Sequence, residues 1–202
     1  MKTALALSFL ALAGSSTYVL APDGAAAPAA RRTTASAYTV DPSHSGVIFR
    51  IEHMGVAPFY GRFNRIGGEY VLDREDPAGC SITVEIDAES VDTNSEDRDK
   101  HLCSPDFFNV KEYPKIRFES TKVGSDGEGR YRVTGDLSFH GVTKEVVIEA
   151  RLIGEADTRM GPKSGFEGEL VIDRNDFDVK TYPGALGDEV KLILFLEGNR
   201  KE

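Results

Sequence analysis

The sequence predicts an all-β fold, an antiparallel meander of eight or nine strands closed into a barrel or stacked as a sandwich. Three observations carry that prediction. From Tyr38 onward apolar residues recur at every second position, as Val47, Phe49 and Ile51 do against Ile48, Arg50 and Glu52. A two-residue period puts one face of a strand in an apolar interior and the other in water. Turn-forming clusters separate the runs: Asp73–Pro77, Gly124–Gly129 and Asp157–Gly165. Glycines also fall within or beside the runs, among them Gly61, Gly68, Gly135 and Gly168. There they weaken pairing unless the strand must bend, as it does when a sheet closes on itself.

The elements follow in order. Residues 1–37 stand apart, with Lys2 ahead of the apolar run Ala4–Ala13 and then the Ala/Pro/Ser/Thr-rich stretch Ser15–Ala37. The run has the length of a secretory signal core and is too short to span a membrane as a helix. Residues 1–37 are therefore read as a signal peptide and flexible segment, with small-residue cleavage sites at Ala27-Pro28-Ala29 or Ala35-Ser36-Ala37. Export places the protein in the periplasm or outside the cell. One domain, 38–202, remains, with predicted strands around 39–53, 60–66, 68–73, 81–88, 116–123, 130–139, 142–153, 165–173 and 189–198. Its length suffices for a core without disulfides. Cys80 opens a strand and Cys103 follows a helix, so two separate thiols are expected, at a spacing unlike a zinc site.

The helix is the one break in the pattern, expected around 94–102. Thr93-Asn94-Ser95-Glu96 reads as a capping box, in which the Thr93 hydroxyl caps an N–H and Glu96 reaches back. Pro105 restricts Ser104 to extended conformations and ends the helix. The helix gathers Asp97, Arg98, Asp99 and His101 just ahead of Cys103, which resembles catalytic machinery. Asp97 and His101 share a face at i, i+4 and Arg98 joins them. A general base of that kind still needs a nucleophile or a metal, and no Gly-x-Ser-x-Gly or His-Glu-x-x-His is present. Arg98 and His101 are instead read as buried polar anchors for the helix, and no enzyme is predicted.

Charge narrows the partners. Of the charged residues (Asp, Glu, Lys, Arg), 1–37 hold only Lys2, Arg31, Arg32 and Asp23, so the domain carries 21 basic against 32 acidic residues, a formal charge of −11. That balance argues against nucleic acid and against docking on anionic lipid, and no stable membrane insertion is expected. Apolar doublets at Val47/Ile48 and Ile193/Phe195 are compatible with a homodimer.

An ordered set of motifs points further. Asp-Pro-Ser-His-Ser (41–45), Phe49-x-Ile51-x-His53-Met54-Gly55, Gly61-x-Phe63, Ser90-Val91-Asp92-Thr93, Arg98-Asp99-x-His101-Leu102, Asp106-Phe107-Phe108, Tyr113-Pro114-x-Ile116-x-Phe118-x-Ser120, Gly135-Asp136-Leu137, His140-Gly141-Val142-Thr143-Lys144 and Asn175-Asp176-Phe177 occur in that order. Over residues 38–198 the chain resembles the YceI-like family of exported bacterial proteins. The resemblance implies an eight-stranded antiparallel lipocalin-like barrel without catalytic activity. Such a barrel would hold a long apolar lipid: a polyisoprenoid, an isoprenoid quinone or a fatty-acyl amide. It implies no cofactor beyond that lipid. The chain departs from the family pattern at Cys103, where a basic or polar residue is more usual.

The inward parity agrees with an apolar pocket, in which buried chain is rewarded at about 0.8 kcal/mol per CH₂. The expected lining is Phe49, Ile51, Phe63, Val84, Ile86, Phe118, Leu137, Phe139, Ile148, Phe166 and Leu170, with Phe107 and Phe108 under the helix near the entrance. Arg98, His101 and Arg174 are expected as polar anchors or head-group contacts. Two other functions stand beside the lipid carrier. One is a metal, haem or redox-linked envelope protein using His44, His53, His101 and His140. The other is a ligand-free structural or interaction barrel.

Overall fold

Pairing along the last strand explains how eleven strand segments make an eight-stranded barrel. The computed structural model describes residues 34–202. Its segments are β1 (Ser36–Val40), β2 (Gly46–His53), β3 (Ala57–Phe63), β4 (Ile66–Leu72), β5 (Ser81–Asp87), β6 (Val91–Asp92), β7 (Lys115–Gly127), β8 (Arg130–Phe139), β9 (Val142–Thr158), β10 (Gly161–Asp173) and β11 (Leu186–Arg200). One flank of β11 takes β1 through Val40↔Gly198 and then β2 through Gly46↔Phe195. Segments β1 and β2 are thus two parts of one bent strand. The same holds for β3 with β4 and for β5 with β6, whose registers continue from Phe63↔Val91 to Ile66↔Ile86. With β7 to β11 these make a closed antiparallel barrel of eight strands.

Local chemistry sets the bends. Gly68 sits in β4 at φ 144°, and a Cβ there would lie 2.1 Å from the Thr83 carbonyl oxygen, so only glycine lets β4 approach β5. The pairing of β9 with β10 shifts register between Gly165 and Phe166, a β-bulge that turns the neighbouring Ile153 out to solvent. Helix α1 (Glu96–Leu102) leaves the ring after β6 and returns to β7 through residues 103–114.

Several expectations change. The first strand starts at Ser36 rather than around 39, since Ser36 and Ala37 pair with Leu72 and Val71. The break between the third and fourth segments falls at 64–65, not at Gly67. Glycine and polar clusters at 124–129 and 157–165 looked like loops, yet β7 runs to Gly127, β9 to Thr158 and β10 starts at Gly161. Ladder hydrogen bonds to neighbouring strands override weak local propensity there. The capping box is also different. Ser95 is the N-cap and makes no side-chain capping bond, while Asp99 reaches back, accepting from the Thr93 N–H at 2.9 Å and the Thr93 hydroxyl at 2.5 Å.

Candidate ligand cavity

The inward side chains fill the two ends of the barrel differently. At the end carrying the β7–β8 and β9–β10 turns, rings close the interior. Tyr38 stacks on Tyr70 with centroids 4.9 Å apart, and Phe166 meets the edge of Tyr70 at 5.5 Å. The buried Tyr70 hydroxyl lies 2.6 Å from the Ser164 hydroxyl and 3.2 Å from the Ser164 carbonyl. Burial pushes the Tyr70 phenol up to about 12, against the smaller opposing pull of the Ser164 hydrogen bond.

At the other end the inward positions hold Val, Ile, Leu and Phe, which leave a cavity of about 370 Å³. Twelve of the thirteen side chains expected to line a pocket lie around it: Phe49, Ile51, Phe63, Val84, Ile86, Phe107, Phe108, Phe118, Leu137, Phe139, Ile148 and Leu170. Phe166 does not. It points inward but sits deeper, against Tyr70 and Tyr131. Parity gives the side of a strand and not the height along it. The lining also includes Val190, Leu192 and Leu194 of β11, hidden in the sequence because that strand is apolar on nearly both faces. Val179 and Tyr182 come from the loop before β11, where no period marks them.

Polar groups gather at the mouth. Arg98 is exposed rather than buried, because its guanidinium lies over the Phe59 ring, 4.6 Å from the centroid, at the rim. It still fastens the helix start, donating through Nε to the Thr93 hydroxyl at 2.7 Å and through Nη2 to the Thr93 carbonyl at 2.6 Å. His101 is half-buried and pairs through Nε2 with Asp106 at 3.0 Å, not with Asp97, which points fully into solvent. The His101 ring meets the edges of Phe107 and Tyr182 at 5.1 and 6.0 Å.

Among the described residues Arg174 is the most buried cation, 3% exposed. Its guanidinium donates to the carbonyls of Gly187, Val179, Thr181 and Leu186 and to Asp188 at 3.3 Å. Those bonds hold residues 179–188 as one wall of the mouth. A guanidinium so engaged is an anchor.

The remaining candidates lie apart from one another. His53 ends β2 at the cavity, and His140 Nδ1–H donates to the Phe177 carbonyl at 3.1 Å beneath the β8–β9 turn. Among the described residues, one trio brings metal-ligating atoms together: Asp41, His44 and Glu197. The Lys163 ammonium already sits between its two carboxylates, 3.3 Å from Asp41 and in contact with Glu197. Hydrogen bonds from His44, then from the Ser43 N–H, hold the Asp41 carboxyl well below the usual carboxylate range. The two carboxylates thus already pair with an internal cation. Cys80 and Cys103 are free thiols, each half-buried, and burial raises both. Cys103 caps α1 and packs on the core, a role for which no charge is needed.

Comparison with known proteins agrees with this geometry. The YceI-like domain matches residues 38–197. Protein YceI of Escherichia coli O157:H7 is 44% identical over 167 residues, covering 81% of this chain and 87% of that protein. The crystal structure of Burkholderia cenocepacia BcnA superposes with a TM-score of 0.72 at 25% identity, covering 78% of this chain and 98% of the other. A polyisoprenoid binding domain from Saccharophagus degradans, implicated in plant cell wall breakdown, has the same fold at a TM-score of 0.65. Its identity is 17%, with coverage of 82% and 99%.

Proposed function

The chain belongs to the YceI-like family, a family of binding barrels and not of enzymes, and from that premise we propose that it carries or sequesters a long apolar lipid in its barrel. The observation that carries the reading is the cavity of about 370 Å³ whose walls are aliphatic and aromatic nearly throughout. Ligand pockets commonly span about 300–1,000 Å³ with apolar walls and few polar groups. A polar substrate would leave its hydrogen bonds unmet inside it. An isoprenoid or acyl tail loses water there and gains contact with the rings of Phe49, Phe63, Phe118 and Phe139. The name of the Saccharophagus domain favours a polyisoprenoid within that class. Arg98 and His101 stand at the rim, where they would meet a head group, while Arg174 holds the wall.

Export belongs to the same reading. The apolar run Ala4–Ala13 lies outside the described residues, and so does the cleavage site at Ala27–Ala29. Cleavage after Ala37 would remove Ser36 and Ala37 from β1, where they pair with β4. The upstream site is therefore the one that keeps the barrel whole, leaving the mature protein in the periplasm or medium. A homodimer would use the outer faces of β2 and β11, where Ile48 faces Ile193 and Phe195 covers Gly46. Equal sedimentation of the wild type and Phe195→Glu as monomers would remove that part.

The main test is organic extraction of the protein purified from the envelope of its own host, followed by mass spectrometry. A prenyl or acyl lipid recovered in proportion to protein is the expected result. An empty extract from folded protein that also fails to take up added prenols would overturn the reading.

A further inference from the structure

The cavity does not run the length of the barrel. Beyond it, toward the ring-filled end, lies a second cavity of about 80 Å³ bounded by side chains that include Tyr70, Ile82, Val133 and Phe166. Two side chains line both cavities, Ile148 and Leu194. They stand on β9 and β11, the two neighbours of β10. Between them β10 carries Gly168, which is in register with Leu194. A Cβ at Gly168 would lie 3.0 Å from Cγ2 of Ile148, so the space left by the missing side chain is the space Ile148 leans into. On β8, two strands from β10, Phe118 of β7 does the same to Gly135, whose Cβ would come within 2.6 Å of the ring. Inward glycines thus leave space that large neighbouring side chains take up.

We infer that Ile148 and Leu194 form a partition that ends the ligand chamber and sets the longest apolar tail it accepts. This rests on the lipid-binding reading above and names its selectivity. Each methylene that enters the chamber strengthens binding by up to about fourfold, whereas one that stays outside the mouth adds nothing. Affinity therefore climbs with tail length and stops when the outer chamber is full. Removing the partition joins the two cavities and moves that limit to longer tails.

The test titrates the folded barrel with prenols of graded length, read by displacement of an apolar fluorescent dye. The wild type shows affinity rising and then level. Leu194→Ala moves the levelling-off to longer prenols and tightens the longest relative to the shortest by about tenfold. Ala150→Leu, which fills the inner cavity from β9, leaves the wild-type length profile unchanged. It also serves if Leu194→Ala folds poorly. Wild-type affinity that keeps climbing with length, together with weaker binding of long prenols by Ala150→Leu, would overturn the partition alone. Failure of every prenol to bind would overturn the lipid reading and the partition with it.

Discussion

The two ends of this barrel are built from the same strands and the same alternation, yet one is filled and the other hollow. At the filled end aromatic side chains reach across, and their hydroxyls find partners: Tyr70 on Ser164, Tyr38 on Glu155 at 3.2 Å. The Asp41–Lys163–Glu197 cluster ties β1, β10 and β11 outside. At the hollow end Phe49, Phe63, Phe118 and Phe139 stand with Val, Ile and Leu around the cavity without closing it, and loops complete the enclosure. Those loops are fixed by Arg174 and by the contacts of Arg98, His101 and Phe107. The difference teaches that strand pairing makes the container, while the way inward side chains meet one another across the interior decides where it is empty. Redundant contacts hold the filled end, and a few polar anchors hold the mouth.

Breaking the mouth at its main anchor should have the largest effect. Arg174→Met removes the donors serving four carbonyls and should cost about 3–5 kcal/mol, since it strands buried polar groups. Urea denaturation measures this, and a loss below 1 kcal/mol would show that the loop holds without Arg174.

The filled end should respond less to a single change. Tyr70→Phe keeps the ring but loses the bond to Ser164, at a cost of about 1–2 kcal/mol in the same assay. The pH dependence sharpens the point. The folded Tyr70 phenol is raised from its ordinary 10.0 to about 12, so its contribution is whole below pH 10 and is lost as pH rises toward 12. Tyr70→Phe should flatten that alkaline decline. Asp41 has the opposite sign, because its carboxyl is lowered. Its contribution is present above the ordinary carboxylate range and fades as pH falls below it, so Asp41→Asn should flatten the acid limb of a melting-temperature profile.

The smallest effect belongs to the rim. Arg98→Ala removes an exposed cation over Phe59 and should cost about 0.5–1 kcal/mol. Its larger consequence is expected in ligand choice: weaker binding of prenyl phosphates relative to the prenols. Equal weakening of both would assign Arg98 to the helix alone.

How much of this was legible beforehand divides along physical lines. The inward set was readable because a strand's side chains alternate sides with no exceptions between bulges. Phe166 lies at a different depth from the rest of the inward set, and alternation carries no information about depth. Arg98 was expected to be buried because a helix face can be drawn from sequence, but the height of the helix above the rim cannot. The Thr93–Asp99 bonds were missed because the carboxylate reaches back six residues, outside the spacing of a capping box. Val179 and Tyr182 line the mouth from an aperiodic loop, and only Arg174 buried beneath them explains their position.

The claim that the hollow end is a ligand chamber can be read directly, because the chain contains no tryptophan. Leu192→Trp puts a single indole into the cavity wall, and Ile153→Trp puts one on the outer surface of β9, where Ile153 is 58% exposed. Adding a prenol to each variant and following tryptophan emission separates the two environments. Saturable change at one ligand per chain for Leu192→Trp, with none for Ile153→Trp, is the predicted result. A folded Leu192→Trp protein that takes up prenol without any change in emission would contradict the account.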